Sequence, residues 1–512
     1  MKIVTVDQMR TIERRASDEH GLTSPLLMER AGLSVAELLR AHLGGDVAGV
    51  RVLVLVGPGN NGGDGRVAAR LLAQWGAATT LFIWKDRRLE TGSPSQAATA
   101  DQAAVLDAIH HADVVLDALL GTGHARPLDS SLRELLAAVT SERRTRPAML
   151  VAALDLPTGI NADTGEVDPG TLHCDLTITL AFPKVGMLLF PGAAYIGEME
   201  IGSIGLPSGL ADQITCDLLD ADQIRQLLPP RPLDSNKGTF GKVMVLAGSL
   251  PFPGSAFLAA SAASRVGAGL VTVATTPDLA PIYAVKLSEA TFHLLPRADT
   301  SPEERARALI EGLRGYSALL VGPGLGQADT THQMVLAVFA GLRSMPDAQR
   351  PQLIVDADGL NILATVERWW ELLPPRTVLT PHPGEMSRLR GGARVSGGYA
   401  DRLEIALHSA AAWQHVVVLK GACTLVADPG GHLAINWPPN PALATAGTGD
   451  VLAGTVAGLL AQHVVAESAA RAAVYLHARA GLNVSQRMGT AGLVASDLLS
   501  EIPIALRDTR DG

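Results

Sequence analysis

Cysteine, aromatic side chains and runs of like charge are all scarce in this sequence. Its 512 residues include three cysteines, Cys174, Cys216 and Cys423, whose odd number and wide spacing exclude a disulfide framework and a zinc-finger spacing. The formal net charge is −9 and no long basic run occurs, which makes nucleic acid a poor partner. No apolar run approaches ~20 residues, and polar residues interrupt the N-terminus before a signal-peptide core could form. These absences predict a cytoplasmic protein with reduced thiols and no membrane span.

Small and aliphatic residues take the place of the aromatic ones. Aromatic residues make up 4% of the chain and hydrophobic residues 47%, and there are 52 glycines. This composition favours close packing of helices on sheets through small side chains. The length exceeds that of one ordinary core, so two domains are expected.

The first half of the chain alternates strands with helices. Apolar residues at helical spacing cover residues 5–43, and Arg51–Val56 then forms an uninterrupted apolar run, typical of a parallel strand buried on both faces. Further strands are predicted at 81–84, 113–117, 150–155 and 176–180, and helices near 99–109 and 129–139. The alternation predicts a Rossmann-like, three-layer, doubly wound α/β domain, whose ligands lie beyond the carboxyl ends of the strands.

Polar side chains follow three of these strands. The loop Gly57–Gly65 carries two amides and an acid, Asp117 precedes Leu119–Gly123, and Asp155 precedes Leu156–Gly159. The ends of parallel strands gather at one rim, so these groups are expected to meet there and to bind a cation or a polar substrate. Two simpler interpretations remain open: a tight strand-to-helix turn for the glycine loop, and caps or solvated turns for the acids.

The three motifs together resemble the NAD(P)H-hydrate epimerase family over about residues 1–220. The resemblance implies an epimerase domain at 1–224, with Asp155 acting at the hydrate. It also implies a potassium ion bound by Asn61, Asp117 and Thr158, where the family usually has serine in place of Thr158. The remaining residues that it implies at the substrate site are Asn60, Asn61, Gly62, Gly63, Asp64, Gly121, Thr122, Gly123, His124, Ala125, Arg126 and Pro127.

A proline cluster at Leu227–Pro232 separates this half from a second strand–helix series, because proline cannot continue a helix. Strands are predicted at 243–247, 270–273, 318–321, 353–356 and 416–419. Helices are predicted near 254–267, 302–313, 329–343 and 401–412, and over most of 448–502. The pattern predicts a second α/β domain.

The turn Gly447–Gly449 runs directly into an apolar helical pattern that has Asp450 in its first turn. Glycines let backbone N–H groups converge, and a helix start adds partial positive charge, so the turn predicts an anion hole suited to a phosphoryl group. Asp450 stands where a carboxylate can accept a proton from an attacking hydroxyl. The alternative is a glycine-rich loop in which Asp450 only caps the helix.

Other strand ends in the second half also carry polar groups. Lys420–Thr424 offers backbone amides and one cation to a nucleotide phosphate, or else forms a hairpin turn with a buried cysteine. Gly322–Gly326 is a glycine-rich loop that either forms a tight turn or lets a ligand approach its backbone. Asp356–Gly359 lacks the glutamate of a calcium loop, and no G-x-x-x-x-G-K-[ST] motif occurs, which excludes the P-loop class.

These motifs resemble the ribokinase-like superfamily and, within it, the ADP-dependent NAD(P)H-hydrate dehydratases, over about residues 225–505. The matching residues are Gly248-Ser249, 322–326, 382–385, 420–424 and 440–454. The resemblance implies a ribokinase-like α/β dehydratase domain at 225–512, with Asp450 as the catalytic base. It implies ADP as phosphoryl donor, with magnesium. The substrate-binding residues that it implies are Ser255, Gly326, His382 and Asp450, and the nucleotide-binding residues are Lys420, Gly421, Ala422, Cys423, Thr424 and Gly449.

Two departures from the family pattern stand in this half. Asn236 takes the place of a common histidine, and Ala442-Leu443 replace a common Gly-Met pair. Both could alter substrate affinity, but neither removes the pair formed by Gly449 and Asp450.

The two resemblances together imply a bifunctional repair enzyme. One domain would interconvert the R and S hydrates of NADH and NADPH (NADHX and NADPHX), and the other would dehydrate the S form with ADP, giving AMP and phosphate. A homo-oligomer is expected, with no nucleic acid or membrane partner. Phosphorylation makes chemical sense because hydroxide is a poor leaving group and phosphate a good one.

Three other classes of function remain at this stage. A vitamin or sugar kinase would keep Asp450 but use ATP and release a phosphorylated product. A dehydrogenase would bind NAD at the G-x-G-x-x-G pattern of Gly57, Gly59 and Gly62, with Asp86 after the next strand. A non-catalytic scaffold is conceivable, although the acids at the strand ends are present.

Overall fold

A computed structural model describes residues 1–91, 97–99, 101–123, 127–297, 299–393, 395 and 399–512. The chain divides into two compact units. The N-terminal unit contains Lys2–Thr215, and the C-terminal unit contains Cys216–Gly397 and Asp401–Gly512, together with Met1. The predicted domains meet after residue 224, whereas the two compact units divide after Thr215.

The earlier division has a physical reason. Residues Cys216–Leu218 form a strand of the C-terminal sheet, where Cys216 pairs with Leu433. The helix that follows, Ala221–Leu227, buries Ile224 in the core of the same unit. The proline cluster therefore lies inside the C-terminal unit.

The N-terminal unit is a three-layer α/β fold. Its strands are β1 Arg51–Val56, β2 Ala78–Ile83, β3 Arg88–Thr91, β4 Ala97–Thr99, β5 Val114–Ala118, β6 Leu150–Leu154, β7 Leu176–Leu180 and β8 Glu198–Gly202. Its α-helices are α1 Val6–His20, α2 Ser24–His42, α3 Asn60–Gln74, α4 Gln102–His111 and α5 Ser130–Thr145. The described strands lie in the order β4-β3-β2-β1-β5-β6-β7-β8. The strands from β2 to β8 in this order are parallel, and β3 and β4 join antiparallel at one edge.

The apolar run of β1 explains why the sheet is covered on both faces. Val52 and Val54 pack with residues of α2 and α3, whereas Leu53 and Leu55 pack with residues of α4 and α5. Each such leucine contributes roughly 1.5–3 kcal/mol when fully buried. β1 lies between β2 and β5, so the chain adds strands first on one side of β1 and then on the other. Parallel α/β sheets bind ligands at such a reversal point in the strand order.

The C-terminal unit is a larger sheet with helices around it. Its strands are β9 Cys216–Leu218, β10 Lys242–Leu246, β11 Leu270–Thr275, β12 Thr291–Leu294, β13 Ala318–Val321, β14 Gln352–Val355, β15 Val378–Leu379, β16 Val416–Leu419, β17 Leu425–Ala427 and β18 Leu433–Ile435. Its α-helices are α6 Ala221–Leu227, α7 Pro253–Arg265, α8 Ala280–Ala284, α9 Pro302–Gly312, α10 Asp329–Ser344, α11 Asp358–Leu363, α12 Pro383–Leu389, α13 Tyr399–Trp413, α14 Thr448–Ala461, α15 Ala466–Met488 and α16 Asp497–Asp511.

The described strands of this sheet lie in the order β12-β11-β10-β13-β14-β15-β16-β17-β18-β9. The strands from β12 to β16 are parallel, and β16, β17 and β18 form an antiparallel meander at the other side. Here the reversal point lies at β10, between β11 and β13. The core on one face joins alanine-rich α7 to α14, α15 and α16, which confirms the packing of small residues expected from the composition.

All the strands predicted from apolar runs are present, within a few residues of their predicted bounds. The predicted helical region at 448–502 divides into α14, α15 and the start of α16. The three cysteines are free thiols, as expected. None of the described helices is long and apolar enough to cross a membrane.

Candidate active sites

A cavity of about 640 Å³ lies in the N-terminal unit beyond the ends of β1, β5 and β6. Seven residues predicted for the substrate site line it: Asn60, Asn61, Asp64, Gly121, Thr122, Gly123 and Asp155. The structure thus brings together side chains from three strand ends that are far apart in the sequence. His124, Ala125 and Arg126 lie outside the described residues.

Gly62, Gly63 and Pro127, also predicted for the substrate site, are not among the residues that line the cavity. A Cβ on Gly62 would lie 2.0 Å from the carbonyl oxygen of Gly57, and a Cβ on Gly57 would lie 1.6 Å from that of Leu119. These two glycines are therefore required for close approach of the backbone segments. Their presence needs no bound dinucleotide, which weakens the dehydrogenase interpretation of the G-x-G-x-x-G pattern.

Asp155 forms the charged centre of the cavity with Lys184, a residue that the sequence analysis missed. The Lys184 ammonium group donates to the Asp155 carboxylate, to Thr179 Oγ1 at 3.1 Å and to the Leu180 carbonyl at 3.1 Å. Lys184 is 1% exposed, and Asp155 has a left-handed backbone, with φ 67°. A non-glycine residue in that conformation is strained, and such strain is concentrated at functional sites.

Two further acids face the same cavity. Asp64 on α3 is buried, and burial together with the carboxylates of Asp155 and Glu13 raises the pKa of Asp64 to about 8. Burial also raises the pKa of Glu13, which lies on α1. Asp64 is therefore mainly protonated at neutral pH and can donate a proton, whereas the Asp155–Lys184 pair supplies both charges.

Asp117 and Thr158 form a separate buried contact at the strand ends. The Thr158 hydroxyl donates to Asp117 Oδ1 at 2.7 Å, and the Thr158 N–H donates to Asp117 Oδ2 at 2.8 Å. Asp117 is fully buried, and burial raises its pKa even though the Thr158 and Leu119 hydrogen bonds oppose that shift. Asn61 is also buried, and its Nδ2 has no hydrogen-bond partner among the described residues.

In the C-terminal unit, Gly447 has φ 89° and serves as N-cap of α14, so the helix starts at the predicted turn. Asp450 lies in the first turn and forms a side-chain hydrogen bond with Ser255 on α7. Burial and the carboxylate of Asp356 raise the pKa of Asp450 to about 6. Asp450 is thus ionised at neutral pH yet basic enough to take a proton.

Lys420 lies close to this helix start, because a Cβ on Gly449 would be 3.5 Å from Lys420 Nζ. Its ammonium group donates to Asp356 Oδ1 at 2.8 Å and lies 3.7 Å from Glu385 Oε2. Burial lowers the pKa of Lys420, but these two carboxylates outweigh burial, and the net shift is upward. Lys420 therefore carries its charge beside the predicted anion hole, fixed by two acids that the sequence analysis did not assign.

His382 is the N-cap of α12, and its Nδ1 accepts from the Gly384 N–H at 2.9 Å. Its Nε2 lies 3.4 Å from Glu385 Oε1, and its side chain is half exposed. Burial lowers the pKa of His382, so the ring is mainly neutral at pH 7. Gly326 has φ 81°, and its N–H donates to Asp358 Oδ2 at 2.8 Å.

The Lys420–Thr424 segment is the connection of the β16–β17 hairpin, as the hairpin interpretation predicted. Cys423 is 1% exposed, and burial raises the pKa of its thiol to about 12. Only the backbone of Cys423 is therefore available to contact a ligand. Gly421 packs closely on the Arg402 guanidinium, from which a Cβ on Gly421 would lie 2.3 Å away. The predicted nucleotide-binding roles of Gly421, Ala422 and Thr424 stay predictions.

His477 on α15 is another residue that the sequence analysis missed. Its Nε2 lies 2.9 Å from the Thr448 carbonyl oxygen, and burial lowers its pKa to about 4. The neutral ring therefore donates to Thr448 and fixes the first turn of α14, immediately before Gly449 and Asp450. No sequence pattern around His477 predicted this contact.

The folds and sites described above define a two-site enzyme. The N-terminal unit is a doubly wound α/β domain with an acid and a lysine in its cavity, and the C-terminal unit is an α/β domain with an acid in the first turn of a helix that starts at a glycine turn. A family model described as YjeF-related protein N-terminus matches residues 24–186, and one described as NAD(P)H-hydrate dehydratase matches residues 243–504.

Two full-length relatives carry the same curated description, bifunctional NAD(P)H-hydrate repair enzyme. The protein from Moorella thermoacetica is 36% identical over 532 aligned residues, covering 100% of this chain and 98% of the relative. The protein from Escherichia coli is 34% identical over 512 aligned residues, covering 97% of this chain and 92% of the relative. The chain belongs to the family of bifunctional NAD(P)H-hydrate repair enzymes.

Among solved structures, the C-terminal unit is similar to an ADP/ATP-dependent NAD(P)H-hydrate dehydratase from Bacillus subtilis that was co-crystallised with ATP and Mg²⁺. The identity is 32%, the TM-score is 0.48, and the alignment covers 57% of this chain and 98% of that one.

Proposed function

We propose that the N-terminal unit interconverts the R and S hydrates of NADH and NADPH, and that the C-terminal unit dehydrates the S form in a reaction that consumes ADP. Membership of the family supports both activities. The observation that carries the dehydratase assignment is the position of Asp450, hydrogen-bonded to Ser255 at the glycine-rich start of α14 and close to Lys420.

In the dehydratase, the free N–H groups at the start of α14 and the charge of Lys420 bind the phosphates of the nucleotide. Asp450 accepts the proton of the hydroxyl on C6 of the hydrate while that oxygen attacks the β-phosphorus of ADP, with AMP as leaving group. The phosphorylated intermediate then loses inorganic phosphate. Loss of a proton from the ring completes the elimination and restores the dihydronicotinamide. His382 and Gly326 border the substrate in this proposal.

Magnesium fits this site as a partner of the nucleotide. Within the described residues no group of three or more His, Cys, Asp or Glu side chains forms a metal site. Magnesium commonly binds substrate phosphates with few protein ligands, and when bound it would neutralise charge on the phosphoryl group in transfer. Glu385 is a candidate ligand in the predicted motif, because its Oε2 lies 3.7 Å from Lys420 Nζ, beside the predicted anion hole.

In the epimerase, inversion at C6 requires a bond at that carbon to break and re-form, and proton movement accompanies both steps. Lys184 and the protonated carboxyl group of Asp64 are positioned to donate protons, and the Asp155 carboxylate is positioned to accept one. Both roles are therefore available in one cavity at neutral pH.

The residues predicted to bind potassium fit a weakly bound monovalent cation. Asp117 supplies one negative charge, and Thr158 and Asn61 supply a hydroxyl and an amide oxygen, which are hard ligands. Asp117 is fully buried with no positively charged hydrogen-bond partner among the described residues, so a cation would offset the cost of burying its carboxylate. When bound, the ion would hold these loops in place.

The substrates also support a cytoplasmic location, since NADH and NADPH hydrates arise where those cofactors are used. The predicted homo-oligomer stays a prediction.

One assay tests the proposed function. The protein is incubated with a mixture of R and S hydrates, with ADP, with ATP or with no nucleotide, and the return of dihydronicotinamide absorbance is followed. Conversion of both epimers that requires a nucleotide supports the proposal. Release of a stable phosphorylated product with ATP would favour a vitamin or sugar kinase, and no conversion in any arm would refute the proposal.

A further inference from the structure

A second cavity, of about 330 Å³, lies in the C-terminal unit at the carboxyl ends of β10 and β11. Gly248, Ser249 and Leu325 of the matched motifs line it, but none of the residues predicted to bind substrate or nucleotide does. It adjoins the reversal point of the sheet at β10, where ligands of parallel α/β sheets bind. Its polar wall consists mainly of hydroxyl groups and one guanidinium, from Ser249, Thr275, Thr276, Thr330, Thr331 and Arg305.

Arg305, on α9, is the unusual member of this wall. Its Nε is buried and has no hydrogen-bond partner among the described residues. Burial lowers its pKa, and no carboxylate opposes that shift. The one carboxylate among the described lining residues is Asp278, which pairs with Arg297 at 3.2 Å. A buried donor without a partner destabilises the protein, so the cavity offers an unpaired cation to an anion.

Two features beside Arg305 complete the wall. Thr330 and Thr331 lie in the first turn of α10, where the Thr331 N–H donates to the Ala328 carbonyl at 2.8 Å and the helix start adds partial positive charge. The buried hydroxyl of Tyr283 also has no partner among the described residues, and it lies 2.4 Å from the position of a Cβ on Gly248, which lines the cavity. Hydroxyl groups, a helix start and an arginine are the groups that proteins use to bind phosphate.

A chain of contacts links this cavity to Asp450. Ser249 Oγ donates to the Gly324 carbonyl at 2.7 Å. A Cβ on Gly324 would lie 2.7 Å from Ser255, which hydrogen-bonds Asp450. The cavity and the proposed base therefore border the same loop. A volume of about 330 Å³ is at the small end for ligand pockets, so it suits part of a dinucleotide.

We propose that this cavity binds a phosphate group in the adenylate half of the dinucleotide hydrate, with Arg305 as its charged partner. The inference rests on the proposed dehydratase function, because it concerns the part of the substrate that lies away from the nicotinamide. The contact would select dinucleotides over mononucleotides while Asp450 acts on the same ring in both.

The test compares two substrates, the S hydrate of NADH and the S hydrate of reduced nicotinamide mononucleotide, which lacks the adenylate half. For each, kcat/KM of ADP-dependent dehydration is measured with the full-length protein. Arg305→Met keeps an apolar stem and removes the charge, and Arg307→Met changes an exposed arginine on the same helix as a matched control. Arg305→Gln serves in its place if the methionine variant does not fold.

We expect the parent to prefer the dinucleotide. In Arg305→Met this preference should fall by about tenfold or more, as expected for loss of a charge-assisted hydrogen bond, mainly through a higher KM for the dinucleotide. Arg307→Met should keep the parent preference. An unchanged preference in Arg305→Met, or an equal loss on both substrates, would overturn the proposal. A parent that dehydrates neither hydrate would instead refute the dehydratase function itself.

Discussion

The Lys184 ammonium group and the Asp155 carboxylate form a buried ion pair at the edge of the N-terminal cavity, 29 residues apart in the sequence. Two further hydrogen bonds fix the lysine, from Nζ to Thr179 Oγ1 and to the Leu180 carbonyl. The pair places a proton donor and a proton acceptor in contact with the same ligand volume. Both partners are largely buried, so removing either one would leave an uncompensated charge in the protein interior.

Lys184→Met should abolish epimerisation of the R hydrate while ADP-dependent dehydration of the S hydrate continues. Loss of an acid or base typically costs about 10²–10⁴ in rate. The measurement follows the R hydrate by chromatography, with Lys85→Met, at an exposed lysine, as the matched control. Continued dehydration by the same molecules shows that the variant is folded in its C-terminal unit. Epimerisation at the parent rate would exclude Lys184 from the reaction.

Asp64 should couple stability to pH in the N-terminal unit. Its pKa is raised from 3.8 to about 8, so between these values the folded protein binds more protons than the unfolded chain. Its contribution to stability is therefore present at low pH and is lost as the pH rises toward 8. Asp64→Asn removes this penalty and should raise the apparent Tm at pH 8 more than at pH 5, by about 2–4 °C for each kcal/mol regained.

The same variant should lose epimerase activity, because an amide cannot donate the proton that Asp64 carries. Differential scanning calorimetry of the full-length protein at the two pH values gives the stability half of the test, and the epimerisation assay gives the other half. An equal change in Tm at both pH values would show that Asp64 does not titrate in this window.

Potassium should raise the epimerisation rate of the parent and should not change the rate of Asp117→Ala. Epimerisation of the R hydrate is measured in tetramethylammonium buffer and titrated with potassium, for the parent and for the variant. Because Asp117 is fully buried and contributes the one charge of the predicted ligand set, its removal should abolish the potassium response. If the parent is equally fast without potassium, the ion site is wrong and Asp117 only joins the loops through Thr158.

The sequence predicted those parts of the fold whose signal is local. Apolar runs such as Val52–Val56 predict buried strands because a strand covered on both faces carries apolar residues throughout, and these strands are confirmed. Strands of two or three residues, such as Val378–Leu379 and Cys216–Leu218, were not predicted. Their pairing partners are distant in the sequence, and a segment so short has no periodicity of its own.

The same distinction holds for the sites. Asp117 and Asp155 could be found because they end strands of one sheet, and Asp450 because it follows a glycine turn at a helix start. Lys184 and His477 could not, because each reaches its site through packing between elements 29 residues apart. One signal for Lys184 was available: it follows β7, the strand next to the one that ends before Asp155.

Asp450 is the proposed base of an ADP-dependent dehydration, and this role is tested directly by kcat/KM for the S hydrate across pH in the parent and in Asp450→Asn. With a pKa of about 6, Asp450 should give the parent a profile that falls below pH 6 as the carboxylate is protonated. Asp450→Asn should lose about 10²–10⁴ in rate at pH 7 and lose that inflection, while epimerisation continues. Near-parent dehydration by Asp450→Asn, with the same inflection, would contradict the account.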